Sequence, residues 1–299
     1  MSDRKLLITG ASGKLGKQVI EFLLNDFNVP ANQLIATTRS AASLAQLAEL
    51  GVDVREADFS DPASLEKALT GADNMLLISI DAIGQRSELH RNAVLAADNV
   101  GIKHLSYTSM PAADSSPVVF AFEHEATEKA IADSQISNWT VLRNNWYFEN
   151  LAEFFASTLQ SQTWLTAAKQ GKSAQISRRD LAYAAAASLV KGEAGKQTLT
   201  LNGPESLTTE EMAAQINQAL GLNVQVIHQS DEELKAQLES FGLPEGIVAL
   251  VTTMDQHARG AFSDGSSQAF ETLTGRQPQS YAQWLEENKA MLSKIASNA

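Results

Sequence analysis

The run Lys5-Leu6-Leu7-Ile8-Thr9-Gly10-Ala11-Ser12-Gly13-Lys14-Leu15-Gly16 decides the fold. Its apolar opening predicts a short strand, Leu6–Thr9, and Leu15, Val19, Ile20, Leu23 and Leu24 recur at helical spacing beyond the glycines. A strand, a tight turn and a helix in this order aim several main-chain N–H groups, and the positive end of the helix dipole, at one point. A pyrophosphate is stabilised there. Gly10 permits the turn, Gly13 lets the main chain approach the phosphates, and Gly16 lets the helix sit close to the sheet. Ser12 adds a hydroxyl donor, so Gly10, Ser12, Gly13, Lys14, Leu15 and Gly16 form the candidate dinucleotide contact.

Three glycines alone are a weak signal, and their G-x-x-G-x-x-G spacing departs from the G-x-G-x-x-G of the dinucleotide fingerprint. Position supplies the strength, because the turn opens an α/β pattern. A P-loop needs four residues between its first glycine and the Gly-Lys pair, where Gly10 and Gly13 enclose two. A nucleophile elbow fails as well, since Ser12 lacks the second flanking glycine at the required distance. An unoccupied strand–helix turn stays as the bland alternative.

Working outward, short apolar runs alternate with longer amphipathic stretches, the pattern of parallel strands buried on both faces. The expected strands are Leu6–Thr9, Leu34–Thr38, Val52–Ala57, Asn74–Ile80, His104–Thr108 and Trp139–Leu142. With their crossover helices they predict an α/β fold, a Rossmann-like doubly wound parallel sheet over residues 1–150. Residues 151–299 predict a smaller, mostly helical lobe with short strands at Gln197–Leu201 and Val224–Ile227 and return crossings to the first domain. Helix starts carry their own chemistry: Asp61-Pro62 sets an acceptor at a cap, and Thr208…Glu211 and Ser230…Glu233 match the capping box. Leu181–Val190 reads as a buried helix.

The end of the second strand separates the two nicotinamide cofactors. An acid there would hold the ribose hydroxyls of NAD, whereas Leu34-Ile35-Ala36-Thr37-Thr38 ends in Arg39. A guanidinium clamps a 2′-phosphate, and Lys14 adds a second positive charge, so the reading is NADPH (NADP). A solvated surface Arg39 is the alternative. Asp58-Phe59, closing the third strand, is placed to face the adenine, although Asp58 serves equally as a turn residue. Ser79 is expected beside the nicotinamide ribose.

Composition narrows the partners. Across 299 residues, 44% hydrophobic and 19% charged is the balance of a globular protein. A net charge of −12 without a Lys/Arg cluster argues against nucleic acid and anionic membranes. The chain has no cysteine, which excludes disulfides, thiolate metal sites and cysteine nucleophiles. The other histidines, at 90, 104, 228 and 257, show no metal-ligand spacing. No apolar run reaches membrane-spanning length and the N-terminal residues lack a signal-peptide pattern, which together predict a cytoplasmic address.

The combination of Thr9-Gly10-Ala11-Ser12-Gly13-Lys14-Leu15-Gly16, Arg39, Ala57-Asp58-Phe59, Trp139-Thr140-Val141-Leu142-Arg143-Asn144 and Arg179-Asp180-Leu181-Ala182 resembles the NmrA-like branch of the atypical short-chain dehydrogenases/reductases. Within it, the chain is similar to the NADPH-dependent quinone oxidoreductases and triphenylmethane dye reductases. The resemblance implies NADP at the first turn and a substrate cleft between the lobes over the nicotinamide. The branch also contains regulators that bind the cofactor without turning it over.

Short-chain dehydrogenases generally pair a Tyr with a Lys four residues later and a Ser after the fifth strand. Here those places fall at Phe120, His124 and Ser109, so alcohol–ketone chemistry through a tyrosinate is not expected. A quinone-like or other flat conjugated acceptor needs less, because its hydride affinity is high and the resulting charge is delocalised. Protonation is assigned to His124, Ser109 or water, with pairing of His124 to Glu128 one turn on as the equal alternative. Asn144, Trp146 and Tyr147 follow the sixth strand at the carboxyl edge and are read as cleft wall, with core packing of Trp146 and Phe148 as the alternative. The leading reading is therefore an NADPH-dependent reductase of a small aromatic or quinone acceptor. The runner-up is an NADP-binding redox-sensing regulator, and an epimerase-like relative is weaker. A homodimer or a protein partner is left open.

Overall fold

A computed structural model describes residues 4–297. The chain divides into two compact units, the first holding the stretches up to Ala113, Phe122–Asn144 and Arg179–Thr200, the second Asp114–Ala121, Asn145–Arg178 and everything from Leu201 on. Among the described residues no helix is long and apolar enough to cross a membrane.

The first unit carries the main sheet. Strands β1 (Leu6–Ile8), β2 (Leu34–Thr38), β3 (Asp53–Glu56), β4 (Asn74–Leu77), β5 (His104–Ser109), β6 (Asn138–Asn144) and β8 (Lys196–Leu201) lie in the order β3-β2-β1-β4-β5-β6-β8, and the pairs from β3 through to β6 are parallel. The strand order reverses between β1 and β4, which makes the carboxyl ends of these two strands the topological switch point. Every residue of β1, β2, β4 and β5 is buried, because helices cover both faces. Leu7, Ile35, Met75, Leu105, Tyr107 and Val141 from the strands pack with Leu65 and Leu69 of α3 (Pro62–Leu69), Ala93 and Ala97 of α4 (Arg86–Asn99) and Ile131 of α5 (Ala121–Asp133). The expected cap of α3 is present: Asp61 accepts the Ala63 N–H at 3.0 Å and Pro62 stands at the first helical position.

Two expectations change. The strand Gln197–Leu201, expected in the helical lobe, is β8 and extends the main sheet beside β6. The helix read as buried, α8 (Arg178–Lys191), packs with it: Asn74 Nδ2 donates to Leu189 O at 2.8 Å and the Ser106 and Ser188 hydroxyls bond at 2.8 Å. Small side chains at 182 and 184–187, all buried, allow that close approach. The fourth strand, expected to run to Ile80, stops at Leu77. Beyond it the ladder is replaced by side chains, with Ile78 N–H donating to Thr9 Oγ1 (2.9 Å), Ser79 N–H to Thr108 Oγ1 (2.9 Å) and Ile80 N–H to His90 Nε2 (3.2 Å).

The second unit holds a two-stranded parallel sheet, β7 (Thr163–Thr166) with β9 (Gln225–His228), of which β7 was not expected. Phe148, Trp164, Ile216, Trp284, Leu285 and Leu292 form its core. Helices α9 (Thr209–Leu220) and α10 (Asp231–Ser240) open on the expected capping boxes at Thr208 and Ser230, and α13 (Tyr281–Glu287) opens on another at Ser280.

Candidate functional site

The glycine turn is built as its sequence requires. Gly10 adopts φ +59°, in the left-handed region open to glycine, and Gly13 N–H returns to Gly10 O at 2.9 Å. Ala11 N–H donates to Thr37 O at 3.1 Å, anchoring the turn to β2. A Cβ on Gly16 would lie 2.4 Å from Gly10 O and 2.9 Å from Ala11 Cα, so this glycine admits the turn itself rather than the sheet. Gly13 is the N-cap of α1 (Lys14–Asn25) and makes no side-chain cap, and no acid stands in the first helical turn. The N–H groups of the first helical turn, those of Lys14, Leu15 and Gly16, point with the dipole past the carboxyl end of β1. Leu15 joins this cradle through its main chain alone, because its side chain is buried.

Beside the turn stands a hydroxyl cluster that the glycine spacing does not announce. Ser12 Oγ lies 3.2 Å from Thr38 Oγ1, which lies 3.3 Å from Ser43 Oγ and also meets Ser40 N–H at 3.4 Å. Arg39 follows directly and is exposed, as is Lys14. Glu56, opposite Thr38 in the register, turns its carboxylate to the Ala41 N–H (3.0 Å).

Asp58 takes the turn role of its two readings. Its Oδ1 accepts the Ser60 hydroxyl at 2.7 Å and the Ser60 N–H at 2.8 Å; these bonds, with a weaker pull from Arg39, hold the carboxyl below its ordinary value. Phe59 is half-buried against the core of the first unit, with its ring 6.4 Å from that of His90.

At the carboxyl ends of β5 and β6, Ser109 Oγ donates to Glu128 Oε1 at 2.6 Å, and Arg143 grips the same carboxylate in bidentate fashion, Nε to Oε1 at 3.0 Å and Nη2 to Oε2 at 2.6 Å. Register explains the meeting, since Ser109 pairs with Arg143 across the strands. The Ser109 proton is thus engaged and its lone pairs are what it presents. Glu128 was missed as part of the site because its role needs two strand ends and a helix together. Next to Arg143, the Asn144 amide is buried, and neither its Oδ1 nor its Nδ2 has a hydrogen-bond partner among the described residues. Ser79 is half-buried on the loop after β4.

His124 requires correction. It is only 4% exposed, and its partners are Tyr107, whose hydroxyl lies 2.8 Å from Nδ1, and Arg86, whose Nη1 donates to Nε2 at 3.2 Å. The expected partner Glu128 is held by Arg143 and Ser109 instead. Burial, and then the positive charge of Arg86, push the imidazole down to about 3, so it stays neutral and is not poised to deliver a proton near pH 7. In the second unit, Trp146 packs edge-on against Phe120 (6.4 Å between centroids) and His257 (5.6 Å). The Arg178 guanidinium covers the Tyr147 ring at 5.3 Å, and Phe148 packs against Tyr281 and Trp284. These rings have packing partners of their own, which favours the core alternative for Trp146 and Phe148. Among the described residues no cluster of three or more His, Asp or Glu could hold a metal ion.

Comparison with known proteins gives the same outline. The chain is 40% identical over 266 residues to quinone oxidoreductase 2 of Escherichia coli, spanning 88% of this chain and 91% of that one. The crystal structure of an E. coli NADPH-dependent quinone oxidoreductase complexed with NADPH superposes with a TM-score of 0.88 at 37% identity, covering 94% of this chain and 98% of the other. The triphenylmethane reductase of a Citrobacter species, complexed with NADP(H), gives 0.83 at 30% identity, covering 97% and 99%. The family model described as NmrA-like matches residues 2–284. With the uncapped glycine turn, the reversal of strand order beside it and this match over most of its length, the chain belongs to the NmrA-like family.

Proposed function

We propose that this protein is an NADPH-dependent oxidoreductase that reduces a quinone-like or other flat conjugated acceptor. The observation that carries the reading is the start of α1: a helix end without a side-chain cap, shaped by Gly10 at φ +59° and by Gly16, whose added Cβ would strike the main chain of Gly10 and Ala11, lying at the switch point of a doubly wound sheet. The names of its relatives, a quinone oxidoreductase and a dye reductase with NADPH or NADP(H) bound, support the choice of acceptor and cofactor.

In this reading the N–H groups of residues 14–16 hold the diphosphate, and Arg39, Lys14 and the hydroxyls of Ser12 and Ser40 receive the 2′-phosphate. Thr38 orients the Ser12 hydroxyl and holds the Ser40 N–H, and Phe59 and Asp58 support the adenine end from the neighbouring turn. Bound NADPH supplies the hydride. Ser79, Ser109 and Asn144 face the nicotinamide end, where Asn144 offers one donor and one acceptor to a carboxamide or an acceptor carbonyl. Glu128 holds the Ser109 proton, so Ser109 orients by accepting. The proton that completes reduction comes from solvent, which an acceptor with delocalised charge tolerates.

The engagement of the Ser109 proton and the burial of His124 also favour a second reading, a regulator that binds NADP(H) without turnover. One experiment separates them: NADPH absorbance followed with purified protein against a panel of quinones and triphenylmethane dyes, with NADH as control. Saturable oxidation supports the reductase. Tight NADPH binding with no oxidation above background rejects it in favour of the regulator.

A further inference from the structure

The loop joining β4 to α4 is held from beneath by buried side chains that the reaction itself does not use. Glu123 on α5 is 1% exposed, and its Oε1 accepts two main-chain N–H groups, those of Gly84 and Arg86, each at 2.9 Å. Its Oε2 has no hydrogen-bond partner among the described residues. Gln85, the N-cap of α4, makes no side-chain cap, so a carboxylate from a different helix does the capping. His90 is wholly buried and receives the Ile80 N–H on Nε2 at 3.2 Å, which fixes its proton on Nδ1, 3.0 Å from Thr127 Oγ1. Arg86 donates through Nε to Ile80 O. Both polar groups of residue 80 and the N–H groups of 84 and 86 are thus held by side chains rather than by a ladder.

The upper end of this loop meets the glycine turn. Ile78 N–H donates to Thr9 Oγ1, and the Cβ of Ile78 stands 3.6 Å from where a Cβ on Gly10 would be. A wall at the switch point that lacks strand pairing needs another source of rigidity, and here it comes from α4 and α5.

We propose that Glu123, with His90 and Arg86, is a positioning cluster that fixes the main chain from Ile80 to Arg86 as one wall of the cofactor site, setting affinity for the nicotinamide half without touching the cofactor. The inference rests on the dinucleotide reading above. A carboxylate that accepts two N–H groups is replaceable by a single amide oxygen, so charge is secondary to the acceptor.

The test compares wild type, Glu123→Gln, Glu123→Leu and His90→Leu by fluorescence titration with NADPH and, separately, with adenosine 2′,5′-bisphosphate, which probes the adenine end alone. Glu123→Leu should bind NADPH about tenfold or more weakly, as expected for freeing the buried Arg86 N–H together with the part-buried Gly84 N–H, while bisphosphate affinity stays at the wild-type value. Glu123→Gln should restore most of the NADPH affinity. His90→Leu, which frees the Ile80 N–H of the loop and leaves Thr127 Oγ1 without its imidazole partner, should weaken NADPH in the same selective way and keeps the test open if Glu123→Leu does not fold. NADPH affinity unchanged in both leucine variants, or parallel loss for both ligands, overturns the inference. Failure of the wild-type protein to bind NADPH overturns the site reading itself.

Discussion

Gly16→Ala is the sharpest test of how the turn is built. The added carbon would lie 2.4 Å from Gly10 O, 2.9 Å from Ala11 Cα and 3.0 Å from Gly10 C, all of them main-chain atoms. Those atoms are pinned by Gly13 N–H to Gly10 O and Ala11 N–H to Thr37 O, so no side chain can swing away to relieve the contact. Overpacking of this kind costs about 1–3 kcal/mol, and rigid neighbours place it in the upper half of that range. The intrinsic helix preference of alanine returns at most about 1 kcal/mol. A net loss of about 1–2 kcal/mol corresponds to a fall in Tm of roughly 2–8 °C for a domain of this order of size. Two neighbouring glycines calibrate the result. Gly13 has φ −74° and its Cβ would lie 3.2 Å from Gly10 O, so Gly13→Ala should change stability by less than about 1 kcal/mol and act chiefly on NADPH affinity. Gly10→Ala meets only Ile78, at 3.6 Å, but must hold φ +59°, at about 1–2 kcal/mol. Urea unfolding and NADPH titration on the same preparations give both quantities. Gly16→Ala as stable as Gly13→Ala, with wild-type affinity, would refute the argument.

Three further outcomes are expected. Arg39→Ala should weaken NADPH by about tenfold or more, the worth of a charge-assisted hydrogen bond, and leave NADH binding unchanged; an equal loss for both cofactors in titration rejects the 2′-phosphate assignment. Glu128→Leu should destabilise the protein by about 1–3 kcal/mol, because it removes the bidentate carboxylate that Arg143 holds, and the double variant with Arg143→Met should recover most of that in urea unfolding. His90 and His124 are held down to about 3 by burial and by Arg86, so between pH 6.5 and 3 the unfolded chain takes up protons that the folded chain refuses. Stability should therefore fall as pH drops through that window, by up to about 1.4 kcal/mol per pH unit for each histidine, and a His90→Gln/His124→Gln variant that keeps the full slope would contradict the assignment.

Periodicity and turn chemistry alone determine much of this protein. The α/β class, the glycine turn, the Asp61 cap and both predicted capping boxes depend on neighbours within a few residues, so linear spacing carries them. The arginine at the end of β2 belongs with these, since strand ends are read from the same local pattern. What tertiary structure alone decided are the meetings of distant residues. Whether β8 joins the main sheet, whether the N–H groups of residues 78–80 beyond β4 go to Thr9, Thr108 and His90, and whether Glu128 answers to His124 or to Arg143 and Ser109 are all set by which surfaces pack together. His124 shows the limit most plainly. Its spacing to Glu128 on one helix fits an exposed ion pair equally well, but the helix turns that face into the core, where desolvation removes the charge and Tyr107 and Arg86 become its neighbours. A side chain's partners and protonation follow from the dielectric and the atoms around it, and those belong to the packed chain rather than to its order of residues.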